Sequence, residues 1–261
     1  MGLVPYPDSD DDDRGAKPPQ LPTALLDLYS STVRNSTKDD PEMHNGRKRI
    51  VGHVPGNWPT HVYLEWMPSP EERHALTDLI PAKRVSECTR GSSYIYSLLV
   101  SDLNVSLPLH VSLSRPLVLR TEQKSAFLEQ IENGIKLSVV NCFEATPTNL
   151  CWHPNEIGSR WFLVLQLRTS DQGELPKLLS VCNTVAERFG CPLLYQNGKQ
   201  EQDNDKFHVS IAWSPNARGA CTASDVTDVI TRISFSEVKV RIGQEVSTIP
   251  LSRLSRVLRK K

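Results

Sequence analysis

The sequence contains no run approaching the roughly 18 consecutive apolar residues that a membrane helix needs. Its opening, MGLVPYPDSDDDD, lacks a basic stretch followed by an apolar one. The chain is therefore expected to be neither secreted nor membrane-spanning. Its six cysteines, at 88, 142, 151, 182, 191 and 221, include no C-x-x-C pair and no Cys/His grouping at zinc spacing, so reduced, buried thiols are expected rather than a metal site. Nothing is fibrous or collagenous: 38% hydrophobic and 23% charged residues are ordinary for a globular protein, and 19 prolines predict many turns. Net charge is also missing, because 30 Lys and Arg cancel 30 Asp and Glu. The balance is uneven along the chain. Residues 1–13 hold five acids and no base, leaving 30 bases against 25 acids elsewhere, and the closing RLSRVLRKK holds five bases and no acid. A mildly basic body suits a polyanion without specifying one, and the same charges serve equally as a solvated tail.

Residues 1–49 join the acidic run to a Pro-rich stretch (AKPPQLP) and polar sequence; they are expected to be mostly disordered, with PTALLDLY at 22–29 able to form a short helix. One folded domain is expected over 50–261. THVYLEW at 60–66 reads as a strand. SPEERHALTDLI at 69–80 reads as a helix with Ser69 as N-cap, Pro70 at its first position and Glu72 completing a capping box. Strands are expected at 94–100 (YIYSLLV) and 105–114 (VSLPLHVSLS), and a helix at 121–135 ending near Gly134. Next come strands at KLSVVNCFEA and WFLVLQLR (161–168), an amphipathic helix at 174–190 closed by Gly190, and a polar loop at 197–206. The strand FHVSIAW (207–213), a helix at 224–232 (SDVTDVITR) and a strand at 235–242 complete the series. Helices followed by hairpin-like strands, without strict βαβ alternation, predict an α+β protein with antiparallel sheets. The similarity of its halves predicts two lobes around a central cleft.

One pattern occurs twice. HVSLS at 110–114 and HVSIA at 208–212 repeat His-Val-Ser in a chain with seven histidines. Alternate residues of a strand share a face about 6–7 Å apart, so His110, Ser112 and Ser114 are expected to point one way and Val111 and Leu113 into a core. In the second copy His208 and Ser210 share a face, backed by Val209 and Ile211. Two imidazoles flanking one phosphate suit in-line phosphodiester cleavage, because a neutral one accepts a proton from the attacking oxygen while a charged one donates to the leaving oxygen. The serine hydroxyls suit stabilisation of charge on the phosphoryl oxygens. With RNA, the substrate's own 2′-OH is the nucleophile, consistent with a chain that shows neither an activated Ser or Cys nucleophile nor a carboxylate cluster for magnesium.

At these residues the sequence resembles the 2H phosphoesterase superfamily, defined by two H-x-S/T-x motifs with apolar x. GNWPTHVYLEW (56–66), HVSLSRPLVLR (110–120) and FHVSIAW (207–213), in that order behind an acidic stretch, resemble the U6 small nuclear RNA phosphodiesterase family, which processes the 3′ end of that spliceosomal RNA. The resemblance spans about residues 50–245. It implies the bilobal 2H phosphoesterase fold with two pseudo-symmetric lobes. It also implies a metal-independent 3′→5′ exoribonuclease that trims the oligouridine tail of U6 snRNA, leaving a 2′,3′-cyclic phosphate or a 3′-phosphate. Carried over by position, His110 and Ser112 are the first catalytic pair and His208 and Ser210 the second, with His208 as base and His110 as acid. Tyr195, in PLLYQ, corresponds to a tyrosine that stacks the terminal base, although the ten-residue loop 197–206 beside it departs from the family pattern. No cofactor or metal is implied; the partner is RNA, no membrane is involved, the location is the nucleus, and a monomer is the default.

Two other readings remain open on the motifs: a cyclic phosphodiesterase acting on small nucleotides or tRNA-derived ends, and a non-catalytic RNA 3′-end binding factor. Simple phosphate binding would more readily use Arg or Lys than two intact His/Ser pairs. Among the remaining histidines, His61 is expected to be structural, and His44, His53, His74 and His153 to lie on surfaces or loops. Trp58, Trp66, Trp152, Trp161 and Trp213 are expected to pack rather than stack bases.

Overall fold

Alternation builds the first strand: Val62, Leu64 and Trp66 are buried, while His61, Tyr63 and Glu65 are half-buried on the other face of β1 (Asn57–Trp66). The computed structural model describes residues 54–81, 95–101, 103–155, 158–168, 173–195, 207–216, 224–226 and 230–252. The acidic and Pro-rich segment 1–49, the loop 197–206 and the basic segment from 253 onward lie outside them. The helix α1 (Pro70–Leu79) begins as its capping residues dictate, with Ser69 Oγ accepting from the Glu72 amide at 3.2 Å and the Glu72 carboxylate accepting from the Ser69 amide at 2.7 Å.

The apolar stretch 94–114 contains two short strands, β2 (Tyr96–Ser97) and β3 (Leu109–Ser112), rather than two long ones. The chain doubles back between them: Ser101 and Val105 are hydrogen-bonded, Asn104 has φ 58, and Val100 bridges Ser106. β4 (Leu117–Arg120) follows, then a 3-10 turn at Thr121–Gln123 and the helix α2 (Lys124–Ser138). α2 runs four residues past Gly134, so Gly134 does not end it and Lys136–Ser138 are helical rather than strand. A Cβ at Gly134 would lie 2.6 Å from Val181 Cγ1 of the facing helix, which makes this glycine a site of close packing. The helix instead terminates at Val139, in the left-handed region with φ 52.

β5 (Phe143–Pro154) and β6 (Trp161–Arg168) form a long hairpin, and α3 (Glu174–Arg188) is followed by Gly190 at φ 67, the conformation expected where glycine closes a helix. β7 (His208–Ser214) carries the second motif. The expected helix at 224–232 is not seen at its start. Ser224–Asp225 form β8, paired with Asn149 and Leu150, and a helical hydrogen bond joins the Ile230 amide to the Val226 carbonyl. Ser224 and Asp225 are weak helix formers, and their pairing with β5 takes the place of a first helical turn. β9 (Ile233–Phe235), β10 (Glu237–Ile242) and β11 (Glu245–Pro250) complete the fold. β11 was not expected; its signal was the turn at Gly243, φ 64, between two alternating segments.

The strands form one antiparallel path in the order β11-β10-β1-β3-β7-β6-β5-β8, with β4 beside β1, β2 beside β7 and β9 beside β5. Four strands lie on each side of the β3–β7 seam. Each half thus places its own His-Val-Ser strand at the junction. The opposite face is apolar, and Val62, Leu64, Val111 and Val209 share one buried cluster with Phe127, Ile131 and Ile135 of α2 and Leu175, Leu178 and Val185 of α3.

Candidate active site

At the seam, β3 and β7 run antiparallel with Val111 opposite Val209. Each valine is the middle residue of its own motif. An antiparallel pair has a local two-fold axis through any directly opposed pair of residues, and this one carries His110 onto His208 and Ser112 onto Ser210. The same register sets His110 beside Ser210 and Ser112 beside His208. Both valines are fully buried, so strand alternation sends all four polar side chains to the other face. The two histidines occupy a diagonal, about 7–8 Å apart in the backbone, a spacing that admits one phosphodiester between the rings. The expected convergence of two distant motifs is therefore a property of one pair of strands. Ser114 does not join them: it is buried, with Oγ accepting from the Val62 amide at 2.9 Å and donating to the Arg115 carbonyl at 2.8 Å.

The outer strands supply the surroundings. β1 sets Glu65 opposite His110 and Tyr63 opposite Ser112, while β6 sets Gln166 opposite His208. β7 bulges at Ile211, immediately after Ser210, a device that re-aims side chains beside functional sites. His61 proves to be part of the cluster rather than a distant structural residue. Its Nε2 is 3.1 Å from Ser112 Oγ, its ring meets His110 edge-on with centroids 5.3 Å apart, and it stacks on Tyr63 at 5.1 Å. Burial, reinforced by His110 and Arg241, pushes the His61 pKa down to about 3. Desolvation by the surrounding side chains also holds His110 below its ordinary value, although the residue is exposed at the surface of the sheet. Tyr63 is raised, by burial first and then by the Glu65 carboxylate.

His153, expected on a surface or loop, is half-buried on β5, and its ring lies parallel to that of His208 with centroids 6.1 Å apart. Neither His61 nor His153 belongs to a repeated motif; for His61 the available signal was its same-face alternation with Tyr63 and Glu65. His74 is exposed beside Asp78, as expected. His44 and His53 lie outside the described residues. Tyr195 meets Phe207, the residue preceding His208, edge-on at 5.9 Å and is 36% exposed. Its φ of 60 is unusual for a bulky side chain. Asn183 of α3 fixes the adjoining peptide, donating to the Leu194 carbonyl and accepting from the Leu194 amide, both at 3.0 Å. Trp213 is buried and stacked on Tyr96 at 4.4 Å, consistent with packing. Among the described residues, no three His, Cys, Asp or Glu side chains group as a metal site.

An antiparallel sheet with a local dyad, bearing one His-x-Ser motif on each side, is the plan of the bilobal α+β fold of the 2H phosphoesterases. The solved structure of Kluyveromyces marxianus Usb1 superimposes on 74% of this chain and 98% of its own with a TM-score of 0.56 at 18% identity, and the same protein with uridine monophosphate gives 0.55. The model of the HVSL family, described as an uncharacterised conserved protein, matches residues 19–250, and the chain belongs to that family. A Neurospora crassa protein named U6 snRNA phosphodiesterase 1 is 33% identical over 249 residues, covering 88% of this chain and 66% of its own length. The Xenopus laevis protein of that name is 25% identical, covering 96% of this chain and all of its own.

Proposed function

We propose that this protein is a U6 snRNA phosphodiesterase, a metal-independent 3′→5′ exoribonuclease that trims the oligouridine tail and leaves a 2′,3′-cyclic phosphate or a 3′-phosphate. The observation that carries the reading is the opposition of Val111 and Val209, which gives both His/Ser pairs one face and one dyad. The shared name of the Neurospora and Xenopus relatives supports the choice of RNA. In the proposed reaction His208 takes the proton of the penultimate nucleotide's 2′-OH as its oxygen attacks the adjacent phosphorus. The bond from phosphorus to the 5′-oxygen breaks, and His110 gives that oxygen a proton as the terminal nucleoside leaves. Ser112 and Ser210 donate to the non-bridging oxygens, where charge accumulates. Tyr195 stacks the terminal base, which the Asn183 clamp on the neighbouring peptide supports. A single domain over 50–261 acts behind the tail 1–49, as a monomer in the nucleus.

The test is an RNA ending in oligouridine, incubated in EDTA beside a copy whose penultimate nucleotide is 2′-deoxy, with 3′ ends identified by mass. Stepwise shortening of the ribose RNA with the deoxy copy intact is expected. If neither shortens, cyclic-phosphate substrates decide between the cyclic phosphodiesterase and a protein that only binds 3′ ends.

A further inference from the structure

We propose that His61 is a positioning residue for phosphodiester cleavage: its Nε2–H donates to Ser112 Oγ and thereby aims the Ser112 hydroxyl proton at a phosphoryl oxygen. The inference rests on the phosphodiesterase reading and deepens it. Three observations converge on it. The His61 Nε2 to Ser112 Oγ separation, 3.1 Å, is hydrogen-bonding distance. The imidazole is held from two sides, stacked on Tyr63 at 5.1 Å and set edge-on against His110 at 5.3 Å, with Nε2 toward Ser112. His61 also stays neutral through the working pH range, because burial, His110 and Arg241 all disfavour its charged form.

A serine hydroxyl has one proton and two lone pairs. If His61 Nε2 were the acceptor, the proton of Ser112 would be spent on the protein and none would face the phosphate. If Nε2 carries the hydrogen, it occupies a lone pair of Ser112 and leaves the serine proton for substrate. A neutral imidazole performs this without placing a second positive charge against His110. The device breaks the symmetry of the site: β6, which stands beside β7 as β1 stands beside β3, sets Val164 opposite Ser210 and Gln166 opposite His208 and holds no histidine.

The test compares His61→Phe, His61→Gln, Ser112→Ala and the double variant His61→Phe/Ser112→Ala with wild type in single-turnover cleavage of an oligouridine RNA, with thermal melts as folding controls. Inactive wild type would refute the phosphodiesterase reading itself, and the rest is scored only against active wild type. His61→Phe is expected to lower the cleavage rate constant about 10–100-fold with RNA affinity within a few-fold, the scale of a misplaced reacting group. His61→Gln, which returns an N–H donor near the Nε2 position, is expected to recover most of that loss. The decisive comparison is the double variant, which should be no slower than Ser112→Ala because the effect of His61 passes through that hydroxyl. An equal further loss in the Ser112→Ala background would overturn the proposal. Nitrogen NMR of the wild-type imidazole is independent of every variant: Nε2–H at His61 is expected, and an Nδ1–H ring would refute the assigned direction of the bond.

Discussion

At the scale of single residues, the dyad makes His110 and His208 equivalent by backbone position, while their surroundings make them different. His110 lies against His61 and Tyr63, and His208 against His153. Replacing either motif histidine with alanine is expected to slow cleavage about 10²–10⁴-fold, with RNA affinity within a few-fold by filter binding. The double variant should be little slower than the worse single one, because one proton transfer without the other does not complete the reaction. The pH profile tests which ring is the acid. An acid must be protonated, so activity falls as pH rises through its pKa. In free protein, desolvation holds the His110 pKa below 6.5, while a bound phosphodiester anion favours the charged ring and raises it. The alkaline limb of kcat/KM, which reports free enzyme, is therefore expected at lower pH than the alkaline limb of kcat. A shift confined to the acid limb would exchange the two roles.

At the scale of elements, how well the sequence could be read depended on whether a signal was local. The His-Val-Ser strands, the capping box of α1 and the Gly190 terminus of α3 follow from contacts within a few residues, and all were legible. Gly134 misled because its role is set by α3, nearly fifty positions away, and Val139 ends α2 with no sequence mark at all. His61 and His153 carry no local mark of the site for the same reason: the motif residues they approach, Ser112 and His110 for one and His208 for the other, lie on other strands. The two helix positions give opposite expectations. Gly134→Ala forces a methyl group against Val181 and should cost about 1–3 kcal/mol. Val139→Gly relieves a β-branched residue in the left-handed region and gives up little burial, since Val139 is 69% exposed; it should add about 1 kcal/mol. Urea denaturation of the two variants measures both, and cleavage should be unchanged in each because neither residue reaches the sheet face that bears the motifs.

At the scale of the whole molecule, a two-lobed protein could be two folding units that merely meet at a cleft, or one unit whose cleft crosses an unbroken sheet. The strand path favours the second: β3 is hydrogen-bonded to β7 as well as to β1, and Val62, Leu64 and Val111 share one buried cluster with Leu163, Leu165 and Val209. Neither half can lose its seam strand without exposing the other's apolar face, so the two are expected to unfold together. The tryptophans offer a direct measurement, because Trp58 and Trp66 lie on β1, while Trp152, Trp161 and Trp213 lie on β5, β6 and β7. A variant keeping only the first pair and one keeping only the other three should each show the same urea midpoint by fluorescence as by far-ultraviolet circular dichroism. Val111→Ala, at the dyad, should lower every such midpoint together, by about 2 kcal/mol in stability. A fluorescence midpoint that departs from the circular-dichroism midpoint in either variant would mean that the halves fold alone and that the register of the two motifs is set by docking. Coincident midpoints would mean that the ladder which places both His/Ser pairs on one face is also what makes this domain a single cooperative unit.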